Sequence, residues 1–139
     1  MIRKALVADD EPEDRELIEE GLHCLDHGIN VETASDGTEA CELARQEQFD
    51  VIFADLCMPD RDGIDVLECV SSVSPLTEVI IVTGYAGVPT AVKAMKKGCF
   101  DYLEKPITVD EVEAVMSRVS THRRLVEENN YYRSEFDAG

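Results

Sequence analysis

The chain has 139 residues, enough for one domain with a sizeable core. Its 30 acidic residues outnumber its 13 basic ones, and the net charge of −17 leaves no basic surface for a nucleic acid backbone. The apolar run behind Arg3 and Lys4 extends only from Ala5 to Ala8, too short for a signal peptide or a membrane span. We therefore expect a cytoplasmic protein with no direct nucleic acid binding and no membrane contact.

Short apolar runs alternate five times with amphipathic stretches, the pattern of βα units built on a parallel sheet. The predicted strands are Ala5 to Ala8, Val31 to Thr33, Val51 to Ala54, Val79 to Val82 and Phe100 to Leu103. The run at Val79 has four β-favouring residues in a row, as expected for a strand that is covered on both faces. The sequence therefore predicts an α/β fold, a doubly wound five-stranded parallel sheet flanked by five helices.

Five helices are predicted between and after these strands. They lie near Asp14 to Cys24, after the Asp36-Gly37 turn, from Ile64, around Pro89 up to Gly98, and after Thr108. Pro89 suits a first helical turn, and Thr108 with Glu111 reads as a capping box.

The last helix carries an apolar stripe that continues beyond the point where a compact domain should end. The stripe consists of Val112, Val115, Met116 and Val119, followed by Leu125, Val126, Asn129 and Tyr132. This spacing of three and four predicts a long helix that overhangs the domain and frays from about Tyr131. We divide the chain into a domain at 1–120 and a linker helix extension at 121–139.

Polar side chains follow four of the predicted strands. Asp9 with Asp10, Asp55 and Thr83 come directly after three of them, and Lys105 comes two residues after the last. Because the carboxyl ends of parallel strands meet at one edge of the sheet, these side chains should converge. Three carboxylates in one pocket repel each other unless a cation lies among them, and such hard oxygen ligands suit Mg²⁺. The convergence predicts a phosphoryl-transfer site with a carboxylate nucleophile.

Simpler interpretations exist for each residue taken alone. An Asp-Asp pair is often a solvated turn, Thr83 before a glycine is a turn hydroxyl, and a lysine such as Lys105 usually lies at the surface. Their joint placement at strand ends favours the site.

Two other candidate metal sites can be found in the sequence, and neither has the ligands that its motif requires. An EF-hand with Gly63 at its sixth position would have Met58 where a carboxylate is required. His23, Cys24 and His27 lack a fourth metal ligand. The five widely spaced cysteines indicate buried reduced thiols.

Four motifs in order resemble the receiver domain of bacterial two-component response regulators. They are Asp9-Asp10, Asp55 followed by Met58-Pro59 and Asp62-Gly63, Thr83-Gly84-Tyr85-Ala86, and Asp101-Tyr102-Leu103-Glu104-Lys105-Pro106. The resemblance covers residues 2 to about 120. The stretch from Thr90 to Gly98 and the tail from His122 to Asn129 are similar to the NtrC-type subfamily, whose receivers precede an AAA+ ATPase and a DNA-binding domain.

The resemblance implies a flavodoxin-like strand order of 2-1-3-4-5 and a role for each site residue. Asp55 would accept a phosphoryl group from the phosphohistidine of a sensor histidine kinase, as in the family. Mg²⁺ would be held by Asp10 and Asp55, by Asp9 through a water, and by the backbone carbonyl of Cys57. Lys105 would contact a phosphoryl oxygen, next to a cis peptide bond at Pro106. The chain would then be no classical enzyme but a phosphoacceptor that promotes its own phosphotransfer and autodephosphorylation.

The family also implies a switch and a set of partners. The Thr83 hydroxyl would turn towards the phosphoryl group, and Tyr102 would rotate from an exposed to a buried position. The altered surface of helix 4, strand 5 and helix 5 would regulate transcription through fused AAA+ and DNA-binding domains that this chain lacks. The tail predicts a homodimer through helix 5 and its extension.

Two alternatives remain open beside this hypothesis. The chain could be a stand-alone receiver, or a domain of the same fold that is not phosphorylated and serves only as a protein interaction module. A phosphatase of the haloacid dehalogenase type also uses an aspartyl nucleophile. It needs a second Asp two residues later, where this chain has Cys57.

Overall fold

Five strands and five helices alternate along residues 2–84 and 88–138, the backbone that the computed structural model describes; side chains are described for residues 2–84 and 89–129. The strands are β1 (Lys4–Ala8), β2 (Asn30–Ala34), β3 (Val51–Asp55), β4 (Glu78–Thr83) and β5 (Asp101–Glu104). The helices are α1 (Pro12–Leu25), α2 (Gly37–Gln46), α3 (Gly63–Val73), α4 (Val88–Lys96) and α5 (Val109–Ala138). No helix in these described ranges is both long and apolar enough to cross a bilayer.

The strands form one parallel sheet in the order β2-β1-β3-β4-β5. Ala8 at the end of β1 pairs with Ala34 of β2 and with Ala54 of β3, while Thr83 of β4 pairs with Glu104 of β5. The strand ends are therefore nearly level, so the residues that follow them meet at one edge of the sheet. The predicted doubly wound α/β fold with five helices and strand order 2-1-3-4-5 is confirmed.

The alternation of side chains along each strand divides the core into two layers. In β1, Leu6 and Ala8 pack with residues of α2, α3 and α4, whereas Ala5 and Val7 pack with residues of α1 and α5. A strand that is covered by helices on both faces of the sheet needs apolar residues at successive positions. This explains the uninterrupted apolar runs in the sequence. The predicted core face of α5 is buried completely, from Val112 to Val119.

Helices α1 and α5 approach each other closely at Gly21. A Cβ atom at this position would lie 2.7 Å from the Cβ of Val112, which is below van der Waals contact. Glycine therefore allows the backbone of α1 to pack directly against α5. This contact fixes the second half of α1 against the first turn of α5.

Helix α5 continues beyond the domain in one piece, and Arg123 attaches its middle to the opposite end of the sheet. The Arg123 guanidinium donates to the carbonyl oxygens of Asp50 and Leu76 at 3.1 and 2.9 Å and pairs with Asp50 Oδ1 at 2.9 Å. Asp50 Oδ2 in turn accepts hydrogen bonds from the N–H groups of Arg3 and Lys4. Helical backbone extends to Ala138, but side chains from residue 130 onward lie outside the described part, so the fraying expected from about Tyr131 stays a prediction.

The prediction of five buried thiols is wrong for two cysteines. Cys41 and Cys99 are buried and Cys69 is half-buried, but Cys24 and Cys57 are exposed. Cys24 occupies the solvent side of the last turn of α1, and Cys57 is the second residue of the loop after β3. All five cysteines are free thiols.

Candidate functional site

Three carboxylates meet at the carboxyl edge of the sheet. Asp9 follows β1 and is 1% exposed, Asp55 ends β3 and is 4% exposed, and Asp10 next to them is open to solvent. Each offers an oxygen, and these oxygens all lie within 4.8 Å of one another. The level strand ends thus bring the predicted acidic residues together.

The ammonium group of Lys105 reaches this cluster from the loop after β5. Lys105 Nζ donates a hydrogen bond to Asp55 Oδ2 at 3.0 Å and lies 3.0 Å from Asp9 Oδ2. The lysine side chain is only 14% exposed, so this contact has little competition from water. The structure therefore places the predicted cation against the predicted nucleophile.

Backbone hydrogen bonds attach the loops after β5 and β3 to the end of β4. The N–H of Lys105 donates to the carbonyl oxygen of Thr83 at 2.7 Å, and the N–H of Leu56 donates to Val82 at 2.7 Å. The Lys105–Pro106 peptide bond is cis. Thr83 is fully buried at the end of β4, beside these two attachments. Tyr85 and Ala86, which belong to the motif after Thr83, lie outside the described residues.

Burial and like charge leave the carboxylates in an unfavourable environment. Burial, followed by the nearby Asp55 carboxylate, raises the pKa of Asp9 to about 6, although a hydrogen bond from the Glu11 N–H and the contact with Lys105 act in the opposite direction. Burial alone would lower the pKa of Lys105, but its carboxylate partners raise it well above the usual range. Lys105 is therefore a permanent cation in a site with an excess of negative charge.

The loop after β3 wraps closely around Asp55. The N–H of Cys57 donates to Asp55 Oδ1 at 3.1 Å, and the N–H of Gly63 donates to Leu56 at 3.0 Å. A Cβ atom at Gly63 would lie 2.7 Å from the Asp55 carbonyl oxygen, so only glycine permits this approach. Both oxygens of Asp55 thus have defined partners, and the backbone of Cys57 lies directly beside the carboxylate.

Tyr102 lies near the site on β5 and has an unusual hydroxyl group. The ring is half-buried against the core layer formed by α2, α3 and α4, and the buried hydroxyl has no hydrogen-bond partner among the residues whose side chains are described. Burial, followed by the charge of Glu104, raises the pKa of this hydroxyl. The hydroxyl group is therefore buried although the residue as a whole is only half-buried.

Sequence reasoning missed Asp14, which belongs to the first turn of α1. Asp14 Oδ2 lies 2.8 Å from Lys105 Nζ, the shortest ion-pair contact of this lysine. The available signal was the start of α1 only three residues after Asp9, which keeps the first helical turn at the same edge of the sheet. Lys105 therefore has three carboxylate partners rather than the two that strand ends alone would supply.

The donor set fits a divalent cation. Three carboxylates with oxygens less than 5 Å apart outweigh the single charge of Lys105, and carboxylate oxygens are the ligands that Mg²⁺ prefers in proteins. One of the three, Asp10, is open to solvent, so an ion could enter with part of its hydration shell. The site can therefore combine a cation, a carboxylate nucleophile and an ammonium group.

The fold and this site define a class of protein. Residues 5–117 match the response regulator receiver domain family, and the chain belongs to that family. Receiver domains of this family are signalling domains of two-component systems rather than classical enzymes.

The relatives indicate the subfamily. The chain is 38% identical over 100 residues to the transcriptional regulatory protein ZraR of Klebsiella oxytoca, a match that covers 72% of this chain and 23% of that protein. It resembles the crystal structure of NtrX from Brucella abortus with a TM-score of 0.85 and 28% identity, covering 95% of this chain and 30% of NtrX. A Burkholderia pseudomallei response regulator with a phosphorylated aspartic acid, calcium ion and citrate matches with a TM-score of 0.75 and 29% identity, covering 94% of this chain and 74% of that chain. The predicted resemblance to NtrC-type receivers is confirmed.

Proposed function

We propose that this chain is a phosphorylation-activated switch whose phosphoacceptor is Asp55. The observation that supports this most is the hydrogen bond of 3.0 Å between Lys105 Nζ and Asp55 Oδ2, at a strand end that also gathers Asp9 and Asp10. A buried carboxylate with a cationic partner and two neighbouring acids is what transfer of a phosphoryl group to an aspartate requires. The phosphorylated aspartic acid named for the Burkholderia structure is consistent with this function.

In the proposed reaction, one oxygen of Asp55 forms a bond to phosphorus while the bond from phosphorus to the donor nitrogen of a phosphohistidine breaks. The electron pair of the broken bond returns to the imidazole, and the product is an acyl phosphate on Asp55. Lys105 neutralises charge on the phosphoryl oxygens, and the Cys57 N–H keeps the carboxylate in its orientation. Hydrolysis of the acyl phosphate within the same site would supply the autodephosphorylation that resets the switch.

A Mg²⁺ ion fits the same edge of the sheet. Asp10 and Asp55 would hold it directly, Asp9 through a water, and the backbone carbonyl of Cys57 would add a further oxygen. When bound, the ion would neutralise the negative charge that a phosphoryl dianion meets among these acids.

The proposed response to phosphorylation involves Thr83 and Tyr102. The Thr83 hydroxyl would donate to a phosphoryl oxygen, which changes the space next to Tyr102. Within the described part of the chain the buried Tyr102 hydroxyl has no hydrogen bond, and an outward position would restore one from water. Two positions of this ring with similar free energies would couple the site to the surface of α4, β5 and α5.

The partners follow from the same proposal. A sensor histidine kinase would supply the phosphoryl group, and residues 121–139 would link the receiver at 1–120 to an output module. The chain spans about a quarter of the length of the curated relatives it matches, and ZraR is described as a transcriptional regulator. We propose AAA+ and DNA-binding domains as the output, in a cytoplasmic protein that regulates transcription.

Labelling of the intact chain tests the phosphoacceptor function. Incubation with acetyl phosphate and Mg²⁺ should add one phosphoryl group per chain, because of the two buried carboxylates beside Lys105 we propose only Asp55, which the Cys57 N–H orients, as the acceptor. Intact-mass spectrometry would measure the addition, and hydroxylamine should remove it because it cleaves acyl phosphates. A chain that stays unlabelled would support the alternative of an interaction module without phosphorylation.

The extension of α5 supports a homodimer. Leu125 is 54% exposed and Val126 is also exposed, although both belong to the apolar stripe of this helix. His122 and Asn129 interrupt the stripe with polar side chains, so the pairing should be weak but specific in register. We propose that two copies pair along this helix and that phosphorylation of Asp55 shifts the equilibrium.

Sedimentation velocity should reveal the dimer. The full chain should sediment as a monomer and dimer in equilibrium, and a chain ending at Ser120 should be monomeric. Leu125→Gln removes apolar surface while it keeps the Arg123 attachment, and it should weaken dimerisation about tenfold. Glu128→Gln is the control on the same helix. Equal dimerisation of all four chains would mean that the tail is not the contact.

A further inference from the structure

We propose that Asp14 is a positioning residue for Lys105 that weakens the attraction of the site for anionic phosphodonors. The inference rests on the proposed phosphoacceptor function and concerns the regulation of its rate. Asp14 lies on the first turn of α1, where nothing in the receiver motifs at the strand ends requires a carboxylate.

The contacts of Lys105 carry this proposal. Its ammonium lies 2.8 Å from Asp14, compared with 3.0 Å from both Asp9 and Asp55. Among the described residues, the contact with Asp55 has hydrogen-bond geometry and those with Asp9 and Asp14 are ion pairs, so three carboxylates compete for the three N–H donors and the single charge of one ammonium. A phosphoryl oxygen that needs Lys105 must therefore displace or share one of these contacts.

Asp14 differs from the other two partners in its position. Its oxygens are not part of the group that Asp9, Asp10 and Asp55 form within 4.8 Å, so a cation held by those residues would not bind Asp14 directly. Its carboxylate nevertheless lies within about 6 Å of Asp55, because both are within 3.0 Å of the same nitrogen. Asp14 thus adds a negative charge near the reacting phosphorus on the lysine side of the site.

Two consequences follow for an incoming phosphodonor. The charge of Asp14 repels an anionic donor, and its contact with Lys105 reduces the positive charge that this lysine can present. Both effects depend on the charge of the donor and lower its occupancy of the site rather than the rate of transfer once it is bound. A dianionic donor should therefore be affected more than a monoanionic one.

Asp14→Asn provides the test, since the amide keeps an oxygen for Lys105 and removes the charge. With acetyl phosphate, a dianion, the donor concentration for half-maximal phosphorylation should fall about fivefold, as expected for one screened charge at this distance. With phosphoramidate, a monoanion, the fall should be about twofold. The maximal rate should stay within about a factor of two, and Mg²⁺ affinity should change little.

Glu13→Gln is the matched control, because Glu13 is an exposed acid on the same helical turn. It should leave both concentration dependences unchanged, and Asp14→Ser should reproduce the effect of Asp14→Asn if that variant is unstable. The proposal is wrong if Asp14→Asn behaves like Glu13→Gln, or if it lowers only the maximal rate with equal effect on both donors. Labelling of the wild-type chain with no response to Asp14→Asn would overturn this inference alone, whereas no labelling of the wild type would overturn the proposed function with it.

Discussion

Replacement of Asp55 by Asn should abolish phosphorylation by acetyl phosphate in the presence of Mg²⁺. The amide oxygen and nitrogen are poor nucleophiles, and every other carboxylate near Lys105 lacks the position of Asp55 at the end of β3 beside the Cys57 N–H. The variant should also fold, because the negative charge that it removes opposes ionisation of Asp9 in the native chain. Intact-mass spectrometry after incubation measures the loss, and thermal unfolding verifies the fold.

Asp60→Asn is the control for this variant. Asp60 lies in the same loop and is exposed, and its backbone has a φ of 65°, a conformation that Asn also adopts readily. Its phosphorylation should match that of the wild type. Labelling of Asp55→Asn at the wild-type level would show that another residue accepts the phosphoryl group.

Replacement of Asp10 by Asn should weaken Mg²⁺ binding by about a hundredfold, on the order of 3 kcal/mol, since one charged ligand is lost. Phosphorylation at a fixed low Mg²⁺ concentration should fall by a similar factor and recover partly at high Mg²⁺. Asp10 is exposed, so the loss of binding should not be accompanied by a loss of stability in the absence of the ion.

Isothermal titration calorimetry measures this affinity, and Asp60→Asn again serves as the control. Wild-type affinity in the Asp10 variant would contradict the assignment of Asp10 as a ligand. It would leave the acceptor role of Asp55 intact, because that role is measured separately by labelling.

The strand ends were predictable from the sequence because a parallel sheet covered on both faces produces apolar runs that stop at a polar residue. Asp9, Asp55 and Thr83 could therefore be assigned to one edge without any knowledge of side-chain contacts. The strand boundaries differ by a residue or two, as in β5, which begins at Asp101 rather than Phe100. Such shifts arise because backbone pairing, and not side-chain type, determines where a strand begins.

Asp14 could not be found in the same way. Its contact with Lys105 depends on the direction in which α1 leaves β1 and on the path of the loop after β5, and neither is encoded in a periodic pattern. The exposure of Cys24 and Cys57 has a similar origin, since burial of a small thiol depends on the side of a helix or loop to which it belongs. Contacts that join distant segments through a single side chain require the three-dimensional structure.

The Arg123 attachment is a point about which the outer half of the long α5 helix could tilt. Its 30 residues span about 45 Å, and Arg123 fixes it to Asp50 and Leu76 close to its midpoint. The first half is fastened to the sheet by the buried stripe from Val112 to Val119, whereas the second half projects about 22 Å beyond the attachment. A tilt of about 10° at this pivot would displace the far end by about 4 Å, so a rearrangement too small to alter the core would become a large movement at the position where any following domain would be joined.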